Sequence, residues 1–287
     1  MSDDTSDNQY VLRNENELTR QHLQHAVIKD AMGGQLLFAP LDLHSSPPLR
    51  ILDSCTADGT WIRDLQTSTP STVEQQPVFV GTDIEKSYFP AQPWGNNTQY
   101  QVQNVTKPWP KEWINGFDIV HQRLALSCPG DGVATKSLIA NYAEMLKPGG
   151  WIQIVELADW TSENDGPAWR DMMICLSDMI RCIGSSLEHV HRVKGWFEEL
   201  GLVDVEERVV VANYGTREDK QLEAVGKEAA LLTARGILPV VASFPQESLT
   251  LPKERVHQIK SELEKELGGT VSSAHWRYKV VCGRKPT

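Results

Sequence analysis

Two apolar segments that each end on an aspartate constrain the fold of this chain more than any other feature. Residues 51–61 read ILDSCTADGTW and residues 78–83 read VFVGTD, so one apolar run ends on Asp53 and another ends on Asp83. Small residues and then a helical pattern follow the first run, and the second lies about one strand-helix-strand unit later. This layout is typical of nucleotide-cofactor sites at the carboxyl edge of a parallel sheet. We therefore predict an α/β fold that binds its ligand at this edge.

The turn after the first of these strands departs from the usual glycine-rich pattern. That pattern places glycine at positions 55, 57 and 59, whereas this chain has Cys55, Ala57 and Gly59. Nicotinamide and flavin dinucleotides need glycine where the backbone approaches their pyrophosphate. Because two of the three positions carry a Cβ atom, the sequence argues against a dinucleotide. It favours a nucleoside cofactor without phosphates, such as S-adenosylmethionine.

The rest of the chain alternates strand and helix patterns in its first half and is mostly helical in its second. Strands are predicted at residues 50–53, 78–83, 98–103, 117–121, 151–156, 203–211 and 276–282. Helices are predicted at 15–32, 60–65, 134–146, 167–183, 190–200, 217–235 and 253–267. Alternation of this kind indicates a mostly parallel, seven-stranded sheet with helices on both faces.

We expect one domain over residues 1–287, with residues 1–9 disordered and residues 10–34 forming an N-terminal helix that closes over the cofactor. The helical segments 158–195 and 217–270 are predicted to form a lid that binds the substrate, since ligands bind at the carboxyl edge of such sheets.

Composition excludes several classes of partner. The net charge of −10 and the pI of about 5.3 argue against nucleic acid and against a membrane surface. No apolar run is long enough for a transmembrane helix, and the acidic N-terminus is unlike a secretory signal. The 5 cysteines contain no C-x-x-C motif, so we predict no metal site and a cytoplasmic location. Glu188, His189 and His191 could suggest metal ligands, but we interpret them as surface residues, because positions two apart on a helix diverge.

Several short motifs, taken in order, point to one family. They are YVL at 10–12, ELTR at 17–20, QH at 24–25, GG at 33–34, LD at 52–53, DGTW at 58–61, GTDI at 81–84, Trp109, FDIVHQR at 117–123, LKPGGW at 146–151, Glu156, LGLVDV at 200–205, AHWRY at 274–278 and GRKP at 283–286. Over nearly its whole length the chain resembles the class I S-adenosylmethionine-dependent methyltransferases of the fungal LaeA-like, trans-aconitate-methyltransferase-type group. The resemblance implies a Rossmann-like fold and S-adenosylmethionine as the cofactor.

The resemblance also implies roles for individual residues around that cofactor. Asp53 would organise the first turn, and Asp83 would hold the two ribose hydroxyls, because a carboxylate can accept from both. Asn104 stands where the family usually has aspartate and would read the adenine amino group. The remaining predicted cofactor contacts are Ser54, Cys55 and Gly59 near the methionine moiety, Ile84 and Val105 near the adenine, and Tyr10, Arg20 and His25 from the N-terminal helix, with Arg20 a candidate partner for the cofactor's carboxylate.

His121 and Glu156 are the candidate catalytic bases, since each follows a strand at the same edge and His121 titrates near neutrality. His121 is also predicted to line the cofactor pocket. A base is needed only where the acceptor must lose a proton, as a hydroxyl or thiol does.

The sequence thus predicts methyl transfer to a small-molecule acceptor, an intermediate of fungal secondary metabolism, with oxygen favoured as the acceptor atom. Proximity and orientation would supply most of the catalysis, because the sulfonium leaving group is already activated. Two alternatives stay open. One is a cofactor-binding regulator of secondary metabolism, and the other is a methyltransferase-like protein that catalyses a cyclisation or rearrangement without methylation. The oligomeric state is left open as well.

Overall fold

A computed structural model describes residues 16–43, 45, 47–68, 76–95, 97–158 and 164–287. The predicted contact of Tyr10 and the predicted disorder of residues 1–9 lie outside these ranges. The chain divides into two compact units, which are described separately. The first contains Met1–Gln35, Leu157–Leu187 and Val209–Tyr278, and the second contains Leu36–Glu156, Glu188–Arg208 and Lys279–Thr287.

The strands form one sheet of seven, in the order β3-β2-β1-β4-β5-β7-β6. Their bounds are β1 Arg50–Ser54, β2 Val78–Asp83, β3 Thr98–Val102, β4 Phe117–Arg123, β5 Leu146–Leu157, β6 Val203–Asn213 and β7 His275–Arg284. The first five strands pair in parallel, and an antiparallel hairpin completes the sheet. The predicted seven-stranded, mostly parallel α/β sheet is therefore confirmed. Strand order reverses between β1 and β4, which is the switch point where such sheets bind ligands.

Helices cover both faces of the strands in the second unit. Helix α2, Thr60–Thr67, buries Trp61, Ile62 and Leu65 in a cluster that includes Phe79 of β2. Helix α3, Gly132–Met145, begins at Asp131, whose carboxylate accepts from two backbone amides of the first turn. The unit also contains α5, Val193–Glu199. The prediction that His189 lies at the surface is wrong, because the residue is buried, with its Nδ1 3.3 Å from Thr135 Oγ1 of α3. Because residues of β1 and β4 are buried on both faces, these strands read as continuous apolar runs in the sequence.

The first unit is mainly helical. It contains α1 Glu17–Ala31, α4 Pro167–Cys182, α6 Lys220–Ser243 and α7 Lys253–Gly268, with α6 packed against the other three. The predicted end of a helix at residue 235 is wrong, because α6 continues through Pro239. Proline removes one helical hydrogen bond. Burial of Ile237 and Leu238 before the proline and of Val241 after it stabilises the continued helix.

None of the helices in the described ranges has both the length and the apolar composition that crossing a membrane requires.

Candidate cofactor site

The structure brings the predicted acidic strand ends to one edge of the sheet. In the register of β1, Asp53 lies beside Gly81 of β2 on one side and beside His121 of β4 on the other. Asp83 is the last residue of β2. The edge therefore combines two carboxylates and an imidazole at the switch point of the sheet.

The turn after β1 keeps the backbone path of a glycine-rich turn although two of its glycines are replaced. Cys55 has φ of +57°, Ala57 has φ of +51° and Gly59 has φ of +75°. Each residue with a Cβ atom in this left-handed region costs about 1–2 kcal/mol. Hydrogen bonds hold the path in place, since Thr56 N–H donates to the Thr82 carbonyl at 2.8 Å. The surroundings of the turn, and not its own residue preferences, determine its shape.

Backbone amides hold the Asp83 carboxylate at the end of β2. Its Oδ2 accepts from Ala57 N–H at 2.8 Å and its Oδ1 accepts from Glu85 N–H at 2.9 Å. Each carboxylate oxygen has two lone pairs, and the backbone amide of Ile84 also contacts this carboxylate. Burial raises the pKa of Asp83 although the backbone amides that it contacts oppose the shift. A vicinal diol, as in a ribose, would fit these two acceptor positions.

Contact with the Tyr100 ring requires glycine at positions 59 and 81, which the sequence pattern alone did not predict. A Cβ atom on Gly59 would overlap the Tyr100 hydroxyl, and one on Gly81 would lie 2.7 Å from Cδ1 of the same ring. Tyr100 lies on β3 and belongs to the buried cluster with Trp61. Close packing against this ring therefore requires glycine at both positions, independently of any ligand.

His121 is embedded in the protein. Its Nδ1 lies 2.7 Å from Asp53 Oδ1, its ring stacks on Trp61 with centroids 3.9 Å apart, and its exposed fraction is 1%. Burial lowers the pKa of His121 and outweighs the opposing effect of Asp53. Thr56 Oγ1 donates to the other oxygen of Asp53 at 2.5 Å. This geometry makes His121 a support for Asp53, and its role as a base or pocket residue stays a prediction.

Ser54 faces away from Asp53, because successive strand residues point to opposite faces. The Tyr142 hydroxyl of α3 lies 2.8 Å from Ser54 Oγ and 2.7 Å from Gln122 Oε1, and all three residues are fully buried. The Ser54 side chain thus contributes to packing between β1 and α3. The predicted contact of Ser54 with the methionine moiety stays a prediction, and it could involve only the backbone of Ser54.

Glu156 likewise has a local partner. Its Oε2 accepts from Leu126 N–H at 2.9 Å, and the residue is 7% exposed. The carboxylate holds the segment that follows β4. Its role as a base stays a prediction.

The predicted adenine contacts follow β2 and β3. Ile84 and Val105 are each half-buried, as is Asn104. The Asn104 Oδ1 accepts from the N–H and the hydroxyl of Thr106, at 2.9 and 2.8 Å. These bonds use both lone pairs of the amide oxygen, so a bond from an adenine amino group would require Thr106 to move.

Arg20 and His25 lie on α1 in the first unit, and His25 is buried. The Arg20 guanidinium donates to both oxygens of Glu17, at 2.7 and 2.9 Å, and to Gln24 Oε1 at 3.0 Å. Glu17 therefore occupies the Arg20 guanidinium donors that the sequence analysis predicts for the carboxylate of the cofactor. The cofactor roles of both α1 residues stay predictions.

Two further arrangements were missed because their members are far apart in the chain. In the second unit, the Cys128 thiol and burial raise the pKa of the Cys55 thiol. In the first unit, Asp165 Oδ1 lies 2.8 Å from His275 Nδ1 and accepts from Ser273 Oγ at 3.0 Å. The Asp165 side chain is fully buried, whereas 31% of the His275 side chain is exposed. Neither pairing leaves a signal in local sequence spacing.

The sheet order and its ligand edge define a Rossmann-like fold of the class I methyltransferase type. A solved structure of an O-methyltransferase family protein from Burkholderia thailandensis has this fold, with a TM-score of 0.50 and 14% identity over 95% of this chain and 61% of that one. No protein-family model matches the chain.

Curated relatives define the family more closely. The chain is 33% identical to N-methyltransferase gliN of Aspergillus fumigatus over 98% of both chains. It is 34% identical to N-methyltransferase sirN of Leptosphaeria maculans over 99% of this chain and 97% of that protein. The chain therefore belongs to this family of fungal S-adenosylmethionine-dependent methyltransferases, and the predicted cofactor is confirmed.

Proposed function

We propose that this protein transfers the methyl group of S-adenosylmethionine to a nitrogen atom of a small-molecule intermediate in fungal secondary metabolism. The observation that carries the proposal is the nearly full-length similarity to relatives named N-methyltransferases, among them tcpN of Claviceps purpurea at 32% identity. The sequence reading favoured oxygen as the acceptor atom. Nothing in these relatives' names supports oxygen, so the proposal replaces it with nitrogen.

The cofactor is assigned to the edge formed by the ends of β1 and β2. The amides of Ala57 and Glu85 orient the Asp83 carboxylate, whose two oxygens would accept from the two ribose hydroxyls. The turn at Cys55 and Ala57 would present its backbone to the methionine moiety. When bound, the cofactor supplies an electrophilic methyl on a good leaving group. The protein then contributes orientation and exclusion of water around the acceptor.

We also propose the predicted roles of the helical segments and of α1, and the predicted location. Helical segments 158–195 and 217–270 would shape the acceptor pocket, Arg20 and His25 would contact the cofactor, and the location would be cytoplasmic. Membership of the LaeA-like group is part of the same proposal. The names of the relatives support neither a regulator nor a rearrangement catalyst, and cofactor binding without methyl transfer would favour one of these two alternatives over the proposal.

Calorimetric titration of the purified protein with S-adenosylmethionine tests the cofactor assignment. We expect binding by the wild type and a loss of about tenfold or more in affinity for Asp83→Asn, because an amide cannot accept on both atoms. Asp204→Asn is the matched control, since this carboxylate lies outside the turn. It forms an ion pair with Arg284, with the two side chains 2.6 Å apart. Equal binding by both variants would contradict the assignment of Asp83.

Incubation with labelled cofactor and extracts of secondary-metabolite intermediates tests the acceptor. We expect a product that is one methyl group heavier, with the label on nitrogen by NMR. A labelled O-methyl product would overturn the nitrogen assignment, and an isomerised product without label would favour the rearrangement catalyst.

A further inference from the structure

A buried carboxylate and a partly exposed imidazole meet in the first unit. Asp165 lies just before α4, and His275 is the first residue of β7. Asp165 Oδ1 lies 2.8 Å from Nδ1 of His275, and the backbone supports this contact, since Gly166 N–H donates to the Ser273 carbonyl at 3.0 Å. The Asp165 side chain is fully buried, whereas 31% of the His275 side chain is exposed. The pair thus joins a buried acceptor to a ring that a ligand can reach.

We propose that His275 is the general base of the methyl transfer and that Asp165 positions it. This role rests on the proposed function and narrows the acceptor to a nitrogen that carries a hydrogen, as in a primary or secondary amine or an amide. A tertiary amine has no such hydrogen, so it falls outside this class of substrate.

The contact with Asp165 determines which ring nitrogen of His275 can accept a proton. A carboxylate only accepts hydrogen bonds, so Nδ1 carries the hydrogen and Nε2 of the neutral ring keeps its lone pair. Within the described ranges, both hydrogen-bond contacts of the ring involve Nδ1, with Asp165 at 2.8 Å and with the Ser273 hydroxyl at 3.4 Å. Nε2 is therefore the atom that takes the proton.

The balance of the reaction requires a proton acceptor. As the bond between nitrogen and the methyl carbon forms, the bond between that carbon and sulfur breaks, and its electron pair stays on sulfur. The hydrogen of the acceptor nitrogen leaves as a proton to Nε2 of His275, and the imidazolium later gives this proton to water. Asp165 stabilises the imidazolium, because hydrogen bonds between charged groups are about twice as strong as neutral ones.

Ser273 does not convert this cluster into a nucleophilic triad. Its hydroxyl donates to Asp165 Oδ1 at 3.0 Å and lies 3.4 Å from Nδ1 of His275, the nitrogen that already faces Asp165. In a Ser-His-Asp triad the serine contacts Nε2, on the other side of the ring. Ser273 instead gives the buried carboxylate a second hydrogen bond, which a buried charge requires.

Two other histidine–carboxylate contacts in the described part of the chain lack one of these properties. His121 contacts Asp53, but only 1% of its side chain is exposed. His191 Nε2 lies 3.9 Å from Glu188, beyond hydrogen-bonding distance, and 74% of the Glu188 side chain is exposed. His275 combines a close, buried carboxylate with an accessible ring, as a base that exchanges its proton with ligand and water must.

The pair also lies in the part of the chain that is proposed to shape the acceptor pocket, since Asp165 belongs to segment 158–195. Ala158, which directly follows β5, donates from its N–H to the Arg277 carbonyl at 2.8 Å. His275 therefore lies at the carboxyl end of β5. Ligands of α/β sheets bind at the carboxyl ends of the strands.

Steady-state kinetics test the base. The acceptor is purified from the extract fraction that the wild type methylates with labelled S-adenosylmethionine. We expect His275→Gln to lower kcat about 100-fold or more, which is typical for loss of a general base, with unchanged cofactor affinity by calorimetry. His257→Gln is the matched control, since His257 is an exposed histidine of α7 in the same unit, and it should keep the wild-type kcat.

Further variants separate positioning from folding. Asp165→Asn should lower kcat about tenfold or more without changing KM for the acceptor, because an amide cannot stabilise the imidazolium. Asp219→Asn is its control, since this exposed residue caps α6 and asparagine caps a helix equally well. Added imidazole should raise the kcat of His275→Ala, because it replaces the missing base, and should leave that of Asp165→Asn unchanged. A variant that lost activity by misfolding would gain nothing from imidazole.

Each contrary result has a definite meaning. A wild-type kcat in His275→Gln, or no rescue of His275→Ala by imidazole, would overturn the role of His275. A wild-type kcat in Asp165→Asn would overturn the positioning role, and a quaternary ammonium product would overturn the class of acceptor. If the wild type binds the cofactor but methylates no nitrogen compound, the proposed function fails together with the base. Nitrogen methylation that does not need His275 contradicts the base alone.

Discussion

The backbone amide of Ala57 donates a hydrogen bond of 2.8 Å to the carboxylate of Asp83, which ties the turn after β1 to the end of β2. Ala57 makes this bond from a left-handed conformation, at φ of +51°. Ala57, which departs from the usual glycine pattern of the turn, thus positions the Asp83 carboxylate, which the sequence predicts as a ligand of the ribose.

Replacing Ala57 by glycine should relieve strain in the turn. Ala57→Gly removes a Cβ atom from a left-handed position, which gains about 1–2 kcal/mol, and it loses about 0.4–1 kcal/mol through the greater freedom of the unfolded chain. We expect urea unfolding to show a net stabilisation of up to about 1.6 kcal/mol. The matched control is Ala140→Gly inside α3, which should lose about 1 kcal/mol. Destabilisation of equal size in both variants would mean that the turn is not strained.

Adding a methyl group at Gly81 should conflict with Tyr100. The new Cβ of Gly81→Ala would lie 2.7 Å from Cδ1 of Tyr100 and 3.0 Å from Cγ2 of Thr56, so we expect a loss of about 1–3 kcal/mol from overpacking. In a Tyr100→Ala background the same change should be less harmful. A double-mutant cycle by urea unfolding measures the difference, and strictly additive losses would rule out the conflict with the ring.

Stability should fall as the pH is lowered from 7 toward 5.5. Burial lowers the pKa of His121 and of His189 below the ordinary value of 6.5, so the unfolded chain binds more protons than the folded one in this range. The unfolding free energy therefore rises with pH, by up to about 1.4 kcal/mol per pH unit for each group. This contribution of the two histidines is lost as the pH drops below 6.5.

Variants separate the two histidines. His121→Gln should retain part of this pH dependence, and the double variant with His189→Gln should retain least. The comparison concerns the change of unfolding free energy with pH in each variant, not its absolute value. A double variant with the wild-type slope would assign the effect to other groups.

Removing the Tyr142 hydroxyl should leave buried polar atoms without a partner. Gln122 Oε1 and Ser54 Oγ, both fully buried, contact this hydroxyl at 2.7 and 2.8 Å. We expect Tyr142→Phe to cost about 1–3 kcal/mol by thermal or urea unfolding, the penalty for unsatisfied buried groups. The cost should be smaller in a Ser54→Ala background, where one of the stranded atoms is absent. An equal cost in both backgrounds would indicate that Ser54 does not share this hydroxyl.

Local sequence patterns determined the elements of this protein and the residues at the edge of its sheet. Alternating apolar and helical periods predict the seven strands, since each pattern reports which face of an element is buried. Acidic residues at the ends of β1 and β2 mark the ligand edge, because parallel strands place their carboxyl ends on the same side. Motif order along the chain then indicated the methyltransferase family.

Tertiary structure decided the partners of those residues. The stacking of Trp61 on His121 and the contact of Asp165 with His275 depend on which atoms the fold brings within reach. The continuation of α6 through Pro239 has the same origin, because burial on both sides of the proline outweighs its local preference. Such contacts join residues distant in sequence, or override local propensity, so no short pattern encodes them.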